Sequence, residues 1–183
     1  ELKQNATVEL TAGTYNFEQI DAAGKATFKL DVRQGSLIVH VLGNVSAGQE
    51  VKFVPLAAPG DVAALKILVQ SEGSRVNLDG KSEFVGTILA PEAVIDLGQQ
   101  VKVQGALYGR RVQISANSTV TGVPAVSLLN GAASAWLGYK NDCEVTTGVP
   151  PGTPDPLLQL IGQAVYGCQQ VDLGTAVIVT GNV

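Results

Sequence analysis

Three stretches of this sequence repeat one pattern at fixed offsets, and that repeat constrains the fold more than any other feature. Val76-Asn77-Leu78 followed by Phe84-Val85-Gly86 is matched by Ile95-Asp96-Leu97 followed by Val103-Gln104-Gly105. A third copy is Val112-Gln113-Ile114 followed by Val120-Thr121-Gly122. The step from Val76 to Ile95 is also the step from Phe84 to Val103, and the step to the third copy is shorter by two at every position. A period of roughly 20 residues is about one turn of a β-solenoid with three short strands per coil, in which a coil buries its apolar face only by stacking on its neighbours. A hairpin meander gives no reason for such offsets. The register places Val76, Ile95 and Val112 above one another inside the stack, likewise Leu78, Leu97 and Ile114, and likewise Phe84, Val103 and Val120. Gly86, Gly105 and Gly122 recur at one corner, where a missing side chain permits a sharp bend or a close backbone approach. Asn77, Asp96 and Gln113 form an outward row. Glu92 and Arg111, separated by the same offset as Val76 and Ile95, are placed to pair across adjacent coils on the surface.

The rest of the first part agrees with a stack of strands. Phe28-Lys29-Leu30-Asp31-Val32, Leu37-Ile38-Val39-His40-Val41 and Leu65-Lys66-Ile67-Leu68-Val69 alternate with a period of two. Nothing between such runs is long enough for the crossover helix of a βαβ unit. The reading is therefore a right-handed parallel β-solenoid of five to six coils over residues 1–122. Charge marks its end: eleven of the twelve cations precede residue 122, and only Lys140 follows, against Asp142, Glu144, Asp155 and Asp172. Residues 123–183 read as a tail or cap. Pro150 to Pro156 is a stiff linker with Asp155 as helix cap, and Leu157, Leu158, Leu160, Ile161, Ala164 and Val165 give a short amphipathic helix that stops near Gly167-Cys168. Ala176-Val177-Ile178-Val179 is a terminal strand. The segment from Ala132 to Tyr139 fits helix and strand equally.

Composition removes several partners. With 12 Lys and Arg against 16 Asp and Glu the chain is mildly acidic, and no basic stripe for nucleic acid can be built. No run approaches the roughly 20 apolar residues of a membrane span. The chain opens on Glu1 without Met or a leader, which reads as a processed or excised product. Cys143 and Cys168 match no zinc or redox spacing and read as one disulfide clipping the tail, with two buried thiols as the alternative. Both the cysteines and the composition point to an extracellular or cell-surface setting.

Chemistry is sparse. Asp79, Glu83, Glu92, Asp96, Arg110 and Arg111 are the charged groups near the regular coils that a glycan-cleaving β-helix would use, as two acids about one bond or as acids with an Arg base. They form no acidic column, no aromatic sugar platform accompanies them, and they read as solvated outward side chains. His40 has no Ser, Cys or fixed Asp partner and reads as a wall or surface residue. Gly43, Gly48 and Gly60 make no phosphate-binding fingerprint, and no calcium loop occurs. Asn5, Asn44 and Asn117 head N-glycosylation sequons. The expectation is no catalytic residue, no metal and no cofactor.

Several phrases resemble a known family. Thr11-Ala12-Gly13-Thr14-Tyr15-Asn16-Phe17, Leu37 to Val45, Phe84-Val85-Gly86-Thr87-Ile88-Leu89-Ala90-Pro91-Glu92-Ala93 and Gly105-Ala106-Leu107-Tyr108-Gly109 are similar to segments of bacterial extracellular β-helix domains. These domains are of the choice-of-anchor A and pilus-associated, adhesin-like kind. The likeness covers residues 8–122 and implies a secreted or surface scaffold with no catalytic residues to carry over. A weaker likeness is to ice-binding β-helices, but the outward row Asn77, Asp96, Gln113, with Arg75, Lys81 and Arg111 nearby, is too charged and uneven for a water-ordering plane. The expected function is a non-enzymatic exported structural or adhesive subunit, self-associating through the solenoid ends or through the strand Ala176, Val177, Ile178, Val179, with a surface glycan or matrix as a further partner. The alternatives are a glycan-binding or glycan-cleaving β-helix and an ice-binding one.

Overall fold

The computed structural model describes residues 1–122 and 165–180. Each short alternating run becomes a strand whose apolar residues face one interior. Coil 1 comprises β1 (Thr7–Thr11), β2 (Gly13–Phe17) and β3 (Ile20–Ala22). Coil 2 comprises β4 (Thr27–Asp31), β5 (Leu37–Val41) and β6 (Val45–Ala47), and coil 3 comprises β7 (Lys52–Leu56), β8 (Ile67–Ser71) and β9 (Arg75–Leu78). In coils 4 and 5 the strands run on through the corners as β10 (Glu83–Leu97) and β11 (Lys102–Ile114). β12 (Thr119–Gly122) opens coil 6, β13 (Val165–Leu173) closes it, and β14 (Ile178–Thr180) begins the next turn.

All these strands pair in parallel with the coil above or below, giving one 14-stranded, solenoid-like sheet with three faces. The A face runs β1-β4-β7-β10-β11-β12-β14. The B face stacks β2, β5, β8, the middles of β10 and β11, and the start of β13. The C face stacks β3, β6, β9 and the ends of β10, β11 and β13. Among the described residues the only helical element is a 3₁₀ turn, Ala63–Leu65, and no helix is long and apolar enough to cross a membrane.

The register read from the repeat is the one observed. Val76 lies against Ile95 and Ile95 against Val112; Leu78, Leu97 and Ile114 stack likewise, as do Phe84, Val103 and Val120. All nine are buried. The A-face column extends beyond them, from Val8 through Phe28, Phe53, Phe84, Val103 and Val120 to Val179. Its three phenyl rings pack in sequence, Phe28 on Phe53 at 4.6 Å and Phe53 edge-on to Phe84 at 5.1 Å.

The corner from the C face to the A face carries a ladder of left-handed residues that are not themselves glycine, though Gly24, Gly48, Gly80, Gly98 and Gly174 stand one or two residues before them. Asn5, Lys25, Glu50, Lys81, Gln100, Asn117 and Ala176 all hold φ between 54° and 61°. From Asn5 to Asn117, each donates its N–H to a carbonyl in the next coil's turn: Gly24, Gln49, Gly80, Gln99, Ala116 and Thr175 in order. Two buried serines back this corner. Val51 N–H donates to Ser82 Oγ at 3.2 Å, and Ser82 O–H donates to the Gly48 carbonyl at 3.0 Å. Ser118 repeats the arrangement with Val101 N–H and the Gly98 carbonyl.

Three expectations change. Glu92 does not face Arg111: the register shifts between Ala90 and Val94, so Val94 lies opposite Arg111 and the exposed Glu92 sits in the extra length of the coil 4 corner. The two residues by which the repeat shortens are lost there. Val165, Gly167 and Cys168, read as the end of a helix, belong to the strand β13: Val165 to Gly167 continue the B face on Leu107 to Gly109, and Cys168 lies in the register shift that follows. The preceding part of that helix and the linker lie outside the described residues, as does Cys143. Lastly, Ala176 stands in the corner ladder, so the terminal strand is Ile178–Thr180, paired in parallel with β12 of its own chain.

Candidate functional site

On the outside of the C face, charged and amide side chains pair across several coils. Alternation along each strand turns Val76, Leu78 and their equivalents inward and leaves two outward rows. One row is Asp21, Ser46, Asn77, Asp96, Gln113 and Asp172; the other is Asn44, Arg75, Val94, Arg111 and Gln170. These rows hold each other across coils. Arg75 approaches Asp96 at 4.0 Å, and its N–H donates to Asn44 Oδ1 at 3.0 Å. Arg111 pairs with Asp172 at 3.6 Å and donates to Gln170, while Gln113 Nε2 donates to Asp172 at 3.4 Å. All of these side chains are at least partly solvated, and pairs of this kind contribute roughly 0 to 1 kcal/mol each. The arrangement is an ionic seam across neighbouring coils.

The sequence-selected residues do not converge. Asp96 and Arg111 share the seam. Glu83 lies on the A face, 3.6 Å from Lys102. Asp79 sits at the C-to-A corner, where its carboxylate accepts the Gly80 N–H at 3.0 Å. Arg110 turns the corner between the B and C faces, with its Nε buried and without a hydrogen-bond partner. His40 is half-buried in an outward row of the B face, between Asn16 and Gln70. Among the described residues no group of three His, Cys, Asp or Glu side chains gathers where it could hold a metal ion.

Asp172 escaped the sequence reading although a signal for it exists. Val171-Asp172-Leu173 repeats the apolar-polar-apolar triplet of Val112-Gln113-Ile114, but it stands far downstream and off the period of the other copies. Three ionisable groups elsewhere are perturbed, two of them the partners of one ion pair. At the coil 2 corner the Arg33 guanidinium donates to Asp31 at 2.5 and 2.9 Å and lowers its carboxyl from 3.8 to about 2. Burial pushes the Tyr108 phenol up to about 12. Tyr108 belongs to the outward side of the B face, where Thr87, Leu89, Ala106 and Tyr108 of coils 4 and 5 are all buried. The 3₁₀ turn packs against this part of the sheet.

Fold and surface together define an all-β, parallel, solenoid-like scaffold whose charged groups pair across coils. Residues 33–127, just over half of the chain, match a domain of unknown function, DUF7305, and the chain belongs to that family. No curated protein and no solved structure matches the chain.

Proposed function

We propose that this chain is a non-enzymatic, exported structural or adhesive subunit of a bacterial cell surface, built as a right-handed β-solenoid and able to assemble head to tail into an extracellular filament. The observation that carries the reading is the A-face column, which continues through seven strands from Val8 to Val179. A repeat ladder of this kind is a spacer with two ends and a long lateral surface. The resemblance of residues 8–122 to choice-of-anchor A and pilus-associated domains supports the same setting. A surface glycan or matrix component is the partner that such a lateral surface would meet. In the tail, a disulfide between Cys143 and Cys168 and a short helix from Leu157 complete this reading, and a mass measurement under non-reducing conditions tests the bridge: two free thiols overturn it.

One observation favours a second reading, glycan binding or cleavage. Asp96 and Asp172 flank Gln113 on adjacent coils, with Arg75 and Arg111 beside them. Glycan arrays with product analysis separate the two. Under the scaffold reading no glycan is cleaved, and any binding survives Asp96→Ala and Arg111→Ala. Cleavage, or saturable binding lost in either variant, overturns it.

A further inference from the structure

Among the described residues, both ends of the A-face column are open. At the first, Val8, Leu10 and Phe17 are only half-buried, whereas Phe28 and Leu30 one coil on are buried. A cavity of about 170 Å³ opens among these side chains, and its wall is almost wholly apolar. At the other end Val177 and Val179 are half-buried, and Leu173, whose equivalents Leu78, Leu97 and Ile114 are buried, is 49% exposed.

The backbone is open too. Thr27 N–H donates to the Ala6 carbonyl, so Ala6, Val8 and Leu10 address β4, and the backbone groups of Thr7 and Glu9 point away from the sheet. Ile178 N–H donates to the Ser118 carbonyl, which turns the N–H and carbonyl of Val179 outward by the same alternation. Among the described residues no strand pairs with either edge. Open edges of this kind template further strands.

We propose that β1 of one copy accepts β14 of a second copy, in parallel, so that the A face runs on across the joint and copies assemble head to tail. The second copy is the occupant because its end already carries what the first end lacks. It offers a parallel A-face strand, an outward backbone edge and an inward valine, Val179, in the same column as Val8. Within one chain β14 adds to β12 in this way, and the joint repeats that step between chains. The contact is heterologous and open-ended. Val179 and Val177 of one copy close the apolar mouth of the next. The terminal strand is thus used twice, one edge within its own chain and one edge between chains. The inference rests on the scaffold reading above and names the joint that reading needs.

The experiment is sedimentation of the full chain and of two edge variants over a wide range of concentration. Glu9→Pro removes an outward N–H of β1 without touching the bonds to β4, and Val179→Pro does the same at β14. The full chain forms an open series of oligomers, each variant alone is weakened by more than about tenfold, and an equimolar mixture of the two stops at dimers, because each variant keeps one working end. Where a proline variant does not reach the parental circular dichroism spectrum, Val8→Glu and Val179→Glu replace it, since they place a charge in the column itself. A monomeric full chain overturns the joint. So does dimerisation of Val179→Pro alone, which means mouth to mouth, or of Glu9→Pro alone, which means tail to tail. A monomeric chain that cleaves no glycan removes the joint and the filament with it and leaves a non-enzymatic surface subunit, whereas an assembling chain that cleaves glycan removes the non-enzymatic reading and leaves the joint.

Discussion

Two corners of the same coil solve the problem of turning in opposite ways. Between the C and A faces the chain turns through a left-handed residue in every coil, and that residue is Asn, Lys, Glu, Gln or Ala but never Gly. The turn is held by the N–H of that residue donating to the next coil. Residues of such different chemistry fill the position that side-chain identity hardly matters there, and strain of about 1 to 2 kcal/mol at a non-glycine residue is outweighed by a ladder that repeats. Between the A and B faces, the backbone of one coil presses on the next. Gly86 and Gly105 have φ of 136° and 146°, and a Cβ on Gly105 would lie 1.8 Å from the Gly86 carbonyl oxygen. That corner depends on glycine. The comparison teaches that a left-handed residue held by its own N–H can be of almost any type, while a residue pressed against the next coil's backbone must be glycine.

The largest expected effect tests the contact corner. Gly105→Ala meets both the carbonyl oxygen and a forbidden φ, and destabilises by at least about 4 kcal/mol in chemical denaturation. A loss below about 1 kcal/mol, on the order of a surface change, would mean that the corner relaxes and the contrast is false. Next comes the backing of the hydrogen-bonded corner. Ser118→Ala leaves Val101 N–H and the Gly98 carbonyl without this partner inside the stack, which costs about 1 to 3 kcal/mol in the same measurement. Ser82→Ala matches it if the two corners that open coils 4 and 6 are equivalent.

A smaller effect of opposite sign follows at the ladder itself. Gln100→Gly keeps the donated N–H and removes the Cβ strain, and raises stability by about 0.5 to 1 kcal/mol after the added freedom of the unfolded chain is subtracted. A destabilised Gln100→Gly would show that the side chain, and not the backbone, holds the turn.

The smallest effect belongs to coil 2, whose A-to-B corner is tied by the exposed Asp31–Arg33 pair. The folded carboxyl lies at about 2 against an ordinary 3.8. Its contribution is therefore complete above the ordinary value and is lost as pH falls through the folded one. In Arg33→Ala the Asp31 carboxyl titrates close to the ordinary value by NMR. No movement of that titration would assign the shift to the backbone alone.

The same contrast explains what the sequence made legible. The strands of coils 4 and 5 were readable because Val, Ile and Phe recur at inward positions and Gly recurs at the contact corner. The columns through Ile95, Leu97 and Val103 follow from that alone. The earlier coils were harder, since the step from Val45 to Val76 is much longer than that from Val76 to Ile95, with the turn at Ala63–Leu65 lying between β7 and β8. The left-handed residues of the corner ladder are hard to pick out because five unlike types share one conformation, and the glycines one or two residues before them fall at an uneven distance. On the C face, Asp96 and Arg111 were seen as outward, but the seam they join needs Asp172. Offsets alone pair Arg111 with Glu92, because the two-residue loss at the coil 4 corner cannot be located from offsets on either side. The strand at Val165 was hidden for a different reason: Tyr166-Gly167-Cys168 offers no alternation, and only Leu107 to Gly109 beside it makes it a strand.

The spacing between paired strands also sets an order of events. Glu83 finds Lys102, and Lys102 finds Thr119, across single short steps of the repeat. Leu107 reaches Val165, and Thr119 reaches Ile178, only across the intervening tail. Those spans are about three times as long, and closing them costs about 1 kcal/mol more in chain entropy. Their closure comes after the coils that provide the template. Zipping therefore starts in the middle of the molecule and reaches the last coil late. That coil is also the first to open, so the amide protons of Gly174 and Ile178, which donate to the Ile114 and Ser118 carbonyls, exchange sooner than those of Gly98 and Thr119, which make the equivalent bonds earlier in the stack. Whatever holds the final coil shut then acts as a brake on unzipping, and a neighbour seated on β14 would apply it.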